Sequence, residues 1–231
     1  MNVRHSARAL LAIVALAATP AAAGPLAEIG RTSHDTPICG NLVVHANAAI
    51  AAIVRGDDAI GRAAAHLRSG DLGLDDASTP RRQAVAELRR STAVLGETTA
   101  RAGEELKRFD AYAVSSDVEA QRVEMREFSH ALALVLDRQR RTADDLDAFV
   151  SQLALHDYRA DAARPDPVSF RTDRPGPRPA TSLATTTSFE RDESPDLAGR
   201  RLASLLDTRV TATATNEARA NELGEIAVGG C

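Results

Sequence analysis

The chain has 231 residues, 44% of them hydrophobic, yet only 3% are aromatic and none is Trp. Ala accounts for 45 of the apolar residues, so nearly half of that total is methyl-sized and buries little area per residue. Sandwiches and barrels draw on β-branched and aromatic strands, which this composition lacks, whereas Ala is the best helix former and lets helices approach closely.

The first 23 residues have the pattern of a secretory signal. Arg4 and Arg8 form a basic start, Ala9 to Ala18 an apolar stretch, and Ala21 and Ala23 an A-x-A cleavage site. The stretch is half the length of a membrane span, and no later run is read as one, so no integral span is expected after cleavage. Cleavage removes the two Arg and leaves 26 basic against 32 acidic side chains. Phosphate contact needs clustered positive charge, so this balance argues against nucleic acid as a partner. The expected location is exported, periplasmic or extracellular.

Cys39 and Cys231 are the two cysteines. Export permits a disulfide between them, closing nearly the whole mature chain into a ring. The competing reading, preferred on sequence, makes Cys39 a small buried residue and Cys231 a free thiol on an unanchored tail.

Proline divides the mature chain. None occurs from Arg81 to Arg164, while six of ten fall between Ala160 and Pro195. The expected organisation is a signal peptide (1–23), an N-terminal extension (24–36), a helical bundle (37–158), a Pro/Thr/Ser-rich linker (159–195) and a short helical or irregular tail (196–231). A first helix starts with Thr36 as cap and Pro37 at its first position and ends at Gly70. Its seam runs Leu42, Ala46, Ala49, Ile53, Gly56, Ile60, Ala63, Leu67, alternating four and three apart.

The second helix repeats the device with Thr79 and Pro80, and its seam is Val85, Leu88, Thr92, Leu95, Thr99, Ala102, Leu106, Phe109, Ala113. Ser116 and Glu119 have capping-box spacing and open a third helix. That seam passes Val118, Gln121, Met125, Phe128, Leu132, Val135, Gln139, Thr142, Leu146, Phe149, Leu153 and His156. The pattern predicts an all-α fold, an elongated antiparallel three-helix bundle with coiled-coil-like packing and helices roughly 50, 50 and 60 Å long. A rival arrangement fuses helices two and three into one rod through Val114. Leu197, Leu202, Leu205 and Leu206 form a short amphipathic piece, followed by a weak helix around Asn216 to Val228.

Folding the helices back near residues 75 and 115 sets Gly56, Thr92 and Gln139 level, with Thr142 nearby. This mid-bundle polar layer is either a register-fixing device or a ligand pocket. The histidines do not converge: His45 and His66 lie three heptads apart, His130 faces solvent, and His156 sits beyond the level of His66. No metal site, cofactor or catalytic set is expected. The adjacent acid pairs Asp57/Asp58, Glu104/Glu105 and Asp144/Asp145 read as a solvated face, and the basic runs Arg81-Arg82 and Arg138 to Arg141 lack the aromatic face of a membrane-surface helix. The expectation is an exported, non-enzymatic interaction or scaffold protein of the bacterial envelope, acting on a protein partner or by self-association. The alternative is a ligand-binding or sensor bundle using Gly56, Thr92, Gln139 and Thr142.

Overall fold

The computed structural model describes residues 25–30, 36–75, 78–114, 119–163 and 193–228, and is all-helical with no strand among them. The expected signal segment, Ser116, Val118, most of the linker and Cys231 lie outside the described residues. Helix α1 spans Pro37–Arg68, α2 Thr79–Ala113, α3 Glu119–Ala163 and α4 Pro195–Leu223, with a 3-10 turn at Asp71–Gly73 and a π turn at Gly224–Val228.

Three helices begin with the same chemistry. Thr36 Oγ1 accepts from the Cys39 amide at 3.3 Å and Ser194 Oγ from the Leu197 amide at 3.3 Å, each just before a proline. Proline supplies a helical φ and lacks an N–H that the first turn could not use. In α2 the cap is Ser78, which accepts from the Arg81 amide at 3.4 Å; Thr79, expected to be the cap, is the first helical residue. Gly70 leaves α1 with φ of 81°, a left-handed conformation that glycine adopts without a Cβ clash.

All eight residues of the predicted α1 seam are buried. On α2, Leu88, Leu95, Thr99, Ala102, Leu106, Phe109 and Ala113 are buried, and on α3 the positions from Met125 to Leu153. His156 is a correction: it is exposed, beyond the last packed turn of that seam. The pairs His45–Glu105 and Arg62–Glu87 run antiparallel about residue 75, as expected. Phe109–Phe128 and Arg81–Asp157 centre on residues 118–119, so α2 and α3 form a hairpin, not a rod, folded about four residues later than the sequence suggests.

The larger correction concerns the C-terminal part. Instead of short segments, α4 is a continuous helix of 29 residues. It runs antiparallel to α3 and α1 and completes a ring of neighbours α1–α2–α3–α4. A four-helix arrangement asks for a second buried stripe on each helix. Val43, Ile50, Ala52 and Ala64 supply it on α1, and Ala131, Leu136 and Val150 on α3. Helix α3 also continues to Ala163, into the expected linker. By length and composition α1 is apolar enough to cross a membrane, with a window of mean hydropathy 1.6, contrary to the reading that no later run qualifies. In this fold fourteen of its 32 residues are buried.

Candidate functional site

The core is not continuous. One apolar cluster holds Leu42 to Ile53 of α1, Ala102 to Ala113 of α2, Met125 to Leu136 of α3 and the end of α4. A second holds Ala59 to Leu67, Ala84 to Leu95, Leu146 to Leu153 and Ala198 to Leu206. Between them lies a polar belt, to which every helix contributes.

Arg138 is at its centre, with its side chain 2% exposed. Its Nη1 donates to Glu217 Oε1 and to Thr213 Oγ1, both at 2.7 Å, and its Nη2 donates to Asp57 Oδ1. Gln139, fully buried, donates from Nε2 to the Ile53 carbonyl at 2.7 Å and to Asp57 Oδ1 at 2.8 Å. About two turns further, Arg209 binds Asp145. Burial pushes the Glu217 carboxyl above its usual range, and the neighbouring Arg138 cation opposes that shift without cancelling it. Arg138 Nε and Gln139 Oε1 are buried without a hydrogen-bond partner among the described residues.

Three of the four predicted layer residues meet this belt. Gly56 is buried against Gln139: a Cβ there would stand 2.6 Å from Oε1. Thr142 is buried one turn beyond Gln139. Thr92 is a correction. It is half-buried, and its hydroxyl donates within its own helix to the Leu88 carbonyl at 3.0 Å. The later α2–α3 turn brings Thr98 and Thr99 to the level of Gln139 instead. Asp57 and Asp145 also depart from the expected solvated face, and Arg138, from one of the basic runs, is buried between Asp57 and α4. Arg81, from the other basic run, is buried and binds the Leu72 and Leu74 carbonyls and Asp157, pinning the α1–α2 loop to α3.

Above the belt, α1 and α4 part to leave a cleft of about 500 Å³. Its floor carries Arg138, Asp57 and Glu217, and its walls carry Val54, Ile60 and Val210. Asp58 and the Arg68–Asp207 pair stand on the rim, so carboxylates outnumber guanidinium groups.

Residues 25–30 lie at one end of this cleft in non-helical conformation. Two asparagines hold them through the backbone. Asn47 Oδ1 accepts from the Ile29 amide at 2.8 Å, while its Nδ2 donates to the Ile29 carbonyl at 2.9 Å. Asn221 Oδ1 accepts from the Ala27 amide at 2.9 Å, and its Nδ2 donates to the Pro25 carbonyl at 3.2 Å. Leu26 and Ile29 are buried, whereas Pro25, Ala27, Glu28 and Gly30 are exposed. Gly224, in the π turn, makes room: a Cβ there would lie 3.0 Å from Ile29 Cδ1.

Cys39 is buried and disulfide-bonded; Cys231, the other cysteine of the sequence, lies outside the described residues. His45 Nδ1 lies 2.7 Å from Glu105 Oε2, and its ring stacks on Tyr112 at 5.5 Å, which ties α1 to α2. No group of three or more His, Cys, Asp or Glu among the described residues could hold a metal ion.

Sequence reasoning missed Asn47, Asn221, Arg138 and Glu217. The last had a legible signal: Arg209, Thr213 and Glu217 repeat every four residues and so share one helix face. The asparagines had none. Comparison with protein-family models, with curated proteins and with solved structures returns no match.

Proposed function

We propose that this is an exported, non-enzymatic interaction protein of the bacterial envelope, in which the bundle is a rigid support and the α1–α4 groove is the contact surface for a partner. The observation that supports it is the way Asn47 and Asn221 hold a non-helical segment in that groove by backbone hydrogen bonds. The heptad seams serve the chain's own core. The long outer surface of the bundle, expected from the sequence to meet a partner, is narrowed in this reading to the groove between α1 and α4.

A selection of displayed peptides on the mature chain tests this. Enriched sequences bind in solution and lose at least tenfold in affinity on Val210→Arg, which fills the cleft wall while the helical circular dichroism is kept. No enrichment over a target-free control, or equal binding to the variant, overturns it.

A second reading, a small-ligand or sensor bundle, is favoured by Arg138 Nε and Gln139 Oε1, a donor and an acceptor buried without partners. Native mass spectrometry tests it. The mature protein should retain a defined small adduct that Gln139→Leu loses; identical bare masses for both proteins count against it.

A further inference from the structure

The segment at residues 25–30 is non-helical and held through its backbone, an arrangement that another peptide can reproduce. Its two clamps recognise the polypeptide backbone and ask only for an N–H at two positions. The side-chain requirement is two aliphatic groups three residues apart, Leu26 and Ile29, since the intervening Ala27 and Glu28 face solvent. The segment runs opposite to α1, because Ile29 sits by Asn47 and Pro25 lines the cleft further along with Val54 and Ile60. The unfilled cleft is therefore a continuation of the seat toward residues N-terminal to Pro25. It is lined there by Asp57, Asp58, Asp207 and Glu217 against Arg68 and Arg138.

Resting on the groove reading above, the geometry points to a peptide-binding site. Its ligand is an extended peptide with aliphatic residues at i and i+3 and positive charge on the N-terminal side of that pair, and residues 25–30 act as a built-in competitor. Charge complementarity sets the polarity of the occupant. An ammonium or guanidinium entering the cleft meets two more carboxylates than cations, in a setting screened less than the open surface. A competitor tethered to its own site raises the threshold for an external ligand, because the local concentration of a short-tethered segment is of millimolar order.

The test uses the mature chain with Leu26→Asp and Ile29→Asp, which releases the segment, and a labelled heptapeptide Gly-Pro-Leu-Ala-Glu-Ile-Gly followed by fluorescence anisotropy. Saturable binding is expected, weakened at least fivefold by Asn47→Ala or Asn221→Ala. An added N-terminal Arg should tighten it at least threefold, an advantage that 0.5 M salt removes. Absent binding, or binding indifferent to both asparagines, overturns the inference. If the released variant loses its helical signal, hydrogen exchange on the unaltered mature chain decides: excess peptide should expose the Ala27 and Ile29 amides, and unchanged protection overturns it. Concentration-dependent dimerisation, which exchange of this segment between copies would give, also overturns it. Success of the displayed-peptide selection with sequences lacking the aliphatic pair would overturn this ligand class and leave the groove reading standing.

Discussion

The α1–α2 and α3–α4 sides of the bundle are both antiparallel and both long, but they are held by different forces. Between α1 and α2 the contact is a run of Ala, Leu and Ile, with His45–Glu105 and Arg62–Glu87 at its edges. Between α3 and α4 the middle of the contact is charged, with Arg138 on Glu217 and Arg209 on Asp145, and Arg138 reaches on to Asp57 of α1. An apolar seam gains from burial at every step, whereas a desolvated ion pair roughly breaks even unless all its partners are present. The first side should therefore tolerate single changes, and the second should fail when one charge is removed.

The largest expected effect concerns how α4 is kept in place. Val228 packs in the same cluster as Leu42, one turn from Cys39, and three further residues span up to about 10 Å. A Cys39–Cys231 bond would join the ends of α1 and α4, and the chain-entropy model assigns a loop of that length roughly 5 kcal/mol. Cys231→Ser should lower the unfolding free energy by about that amount and raise hydrogen exchange in α4 more than in α2. Equal exchange on both sides would erase the difference between them. Two free thiols in non-reducing mass spectrometry would remove the bond itself.

Next comes the belt. Arg138→Met leaves Asp57 and Glu217 without their cation and should cost about 3 kcal/mol, at the lower end for a broken buried pair because Asp57 is one-third exposed. Adding Asp57→Asn, which still gives Gln139 Nε2 an acceptor, and Glu217→Leu should return stability to within about 1 kcal/mol of the parent. Equal losses in the single and triple variants, measured by urea denaturation, would show that the charges are not what holds this side.

Gly56→Ala places a methyl 2.6 Å from Gln139 Oε1, well inside contact distance. Overpacking there should cost about 2 kcal/mol net of the better helix propensity of Ala. Gln139→Ala in the same chain relieves the clash, so the double-mutant cycle should show a coupling of at least about 1 kcal/mol. Additive losses would mean that the close approach at this layer does not constrain the helices.

Acidity should separate the two sides as well. Burial raises the carboxyl pKa of Glu217 in the folded state above the 4.5 of a free side chain. The folded state then holds this proton more tightly than the unfolded one. The associated stability is complete below pH 4.5 and is lost as pH rises through the folded value. Glu217→Gln cannot lose it, so its stability relative to the parent should climb between pH 4 and pH 7. A difference flat across that range would mean that the site is not desolvated.

What could be read in advance follows the same division. The seams of α1, α2 and α3 were legible because Ala, Leu, Ile and Phe repeat at helical spacing, and the proline starts because capping is local chemistry. In the sequence, helix α4 reads as two pieces. Between Leu206 and Ala220 it buries no large apolar side chain, and Arg209, Thr213 and Glu217 take the inward positions. Hydrophobic periodicity cannot detect a helix whose inner face is matched by charge on its neighbour. Thr92 lies off the layer for a geometric reason, since moving the α2–α3 turn by three to four residues shifts the facing level by about seven. The asparagine clamps depend on contacts between residues 18 and 194 positions apart, which no local pattern encodes.

The smallest expected effect gives the sharpest comparison between packing and binding. Gly61 of α1 and Gly96 of α2 both lie in helix interiors, and a Cβ at either would meet nothing within 4 Å. Each Gly→Ala change should therefore stabilise the chain by about 0.5–1 kcal/mol, through helix propensity and a less disordered unfolded state. The two differ in surroundings, because Gly61 lines the cleft and Gly96 does not. If the cleft holds a peptide, the added methyl at Gly61 occupies part of that space. Melting temperatures should rise together, while the affinity of the heptapeptide carrying the added N-terminal Arg for the segment-released chain falls only with Gly61→Ala. Parallel behaviour in both measurements would mean that the open space along α1 is a gap between helices and not a seat.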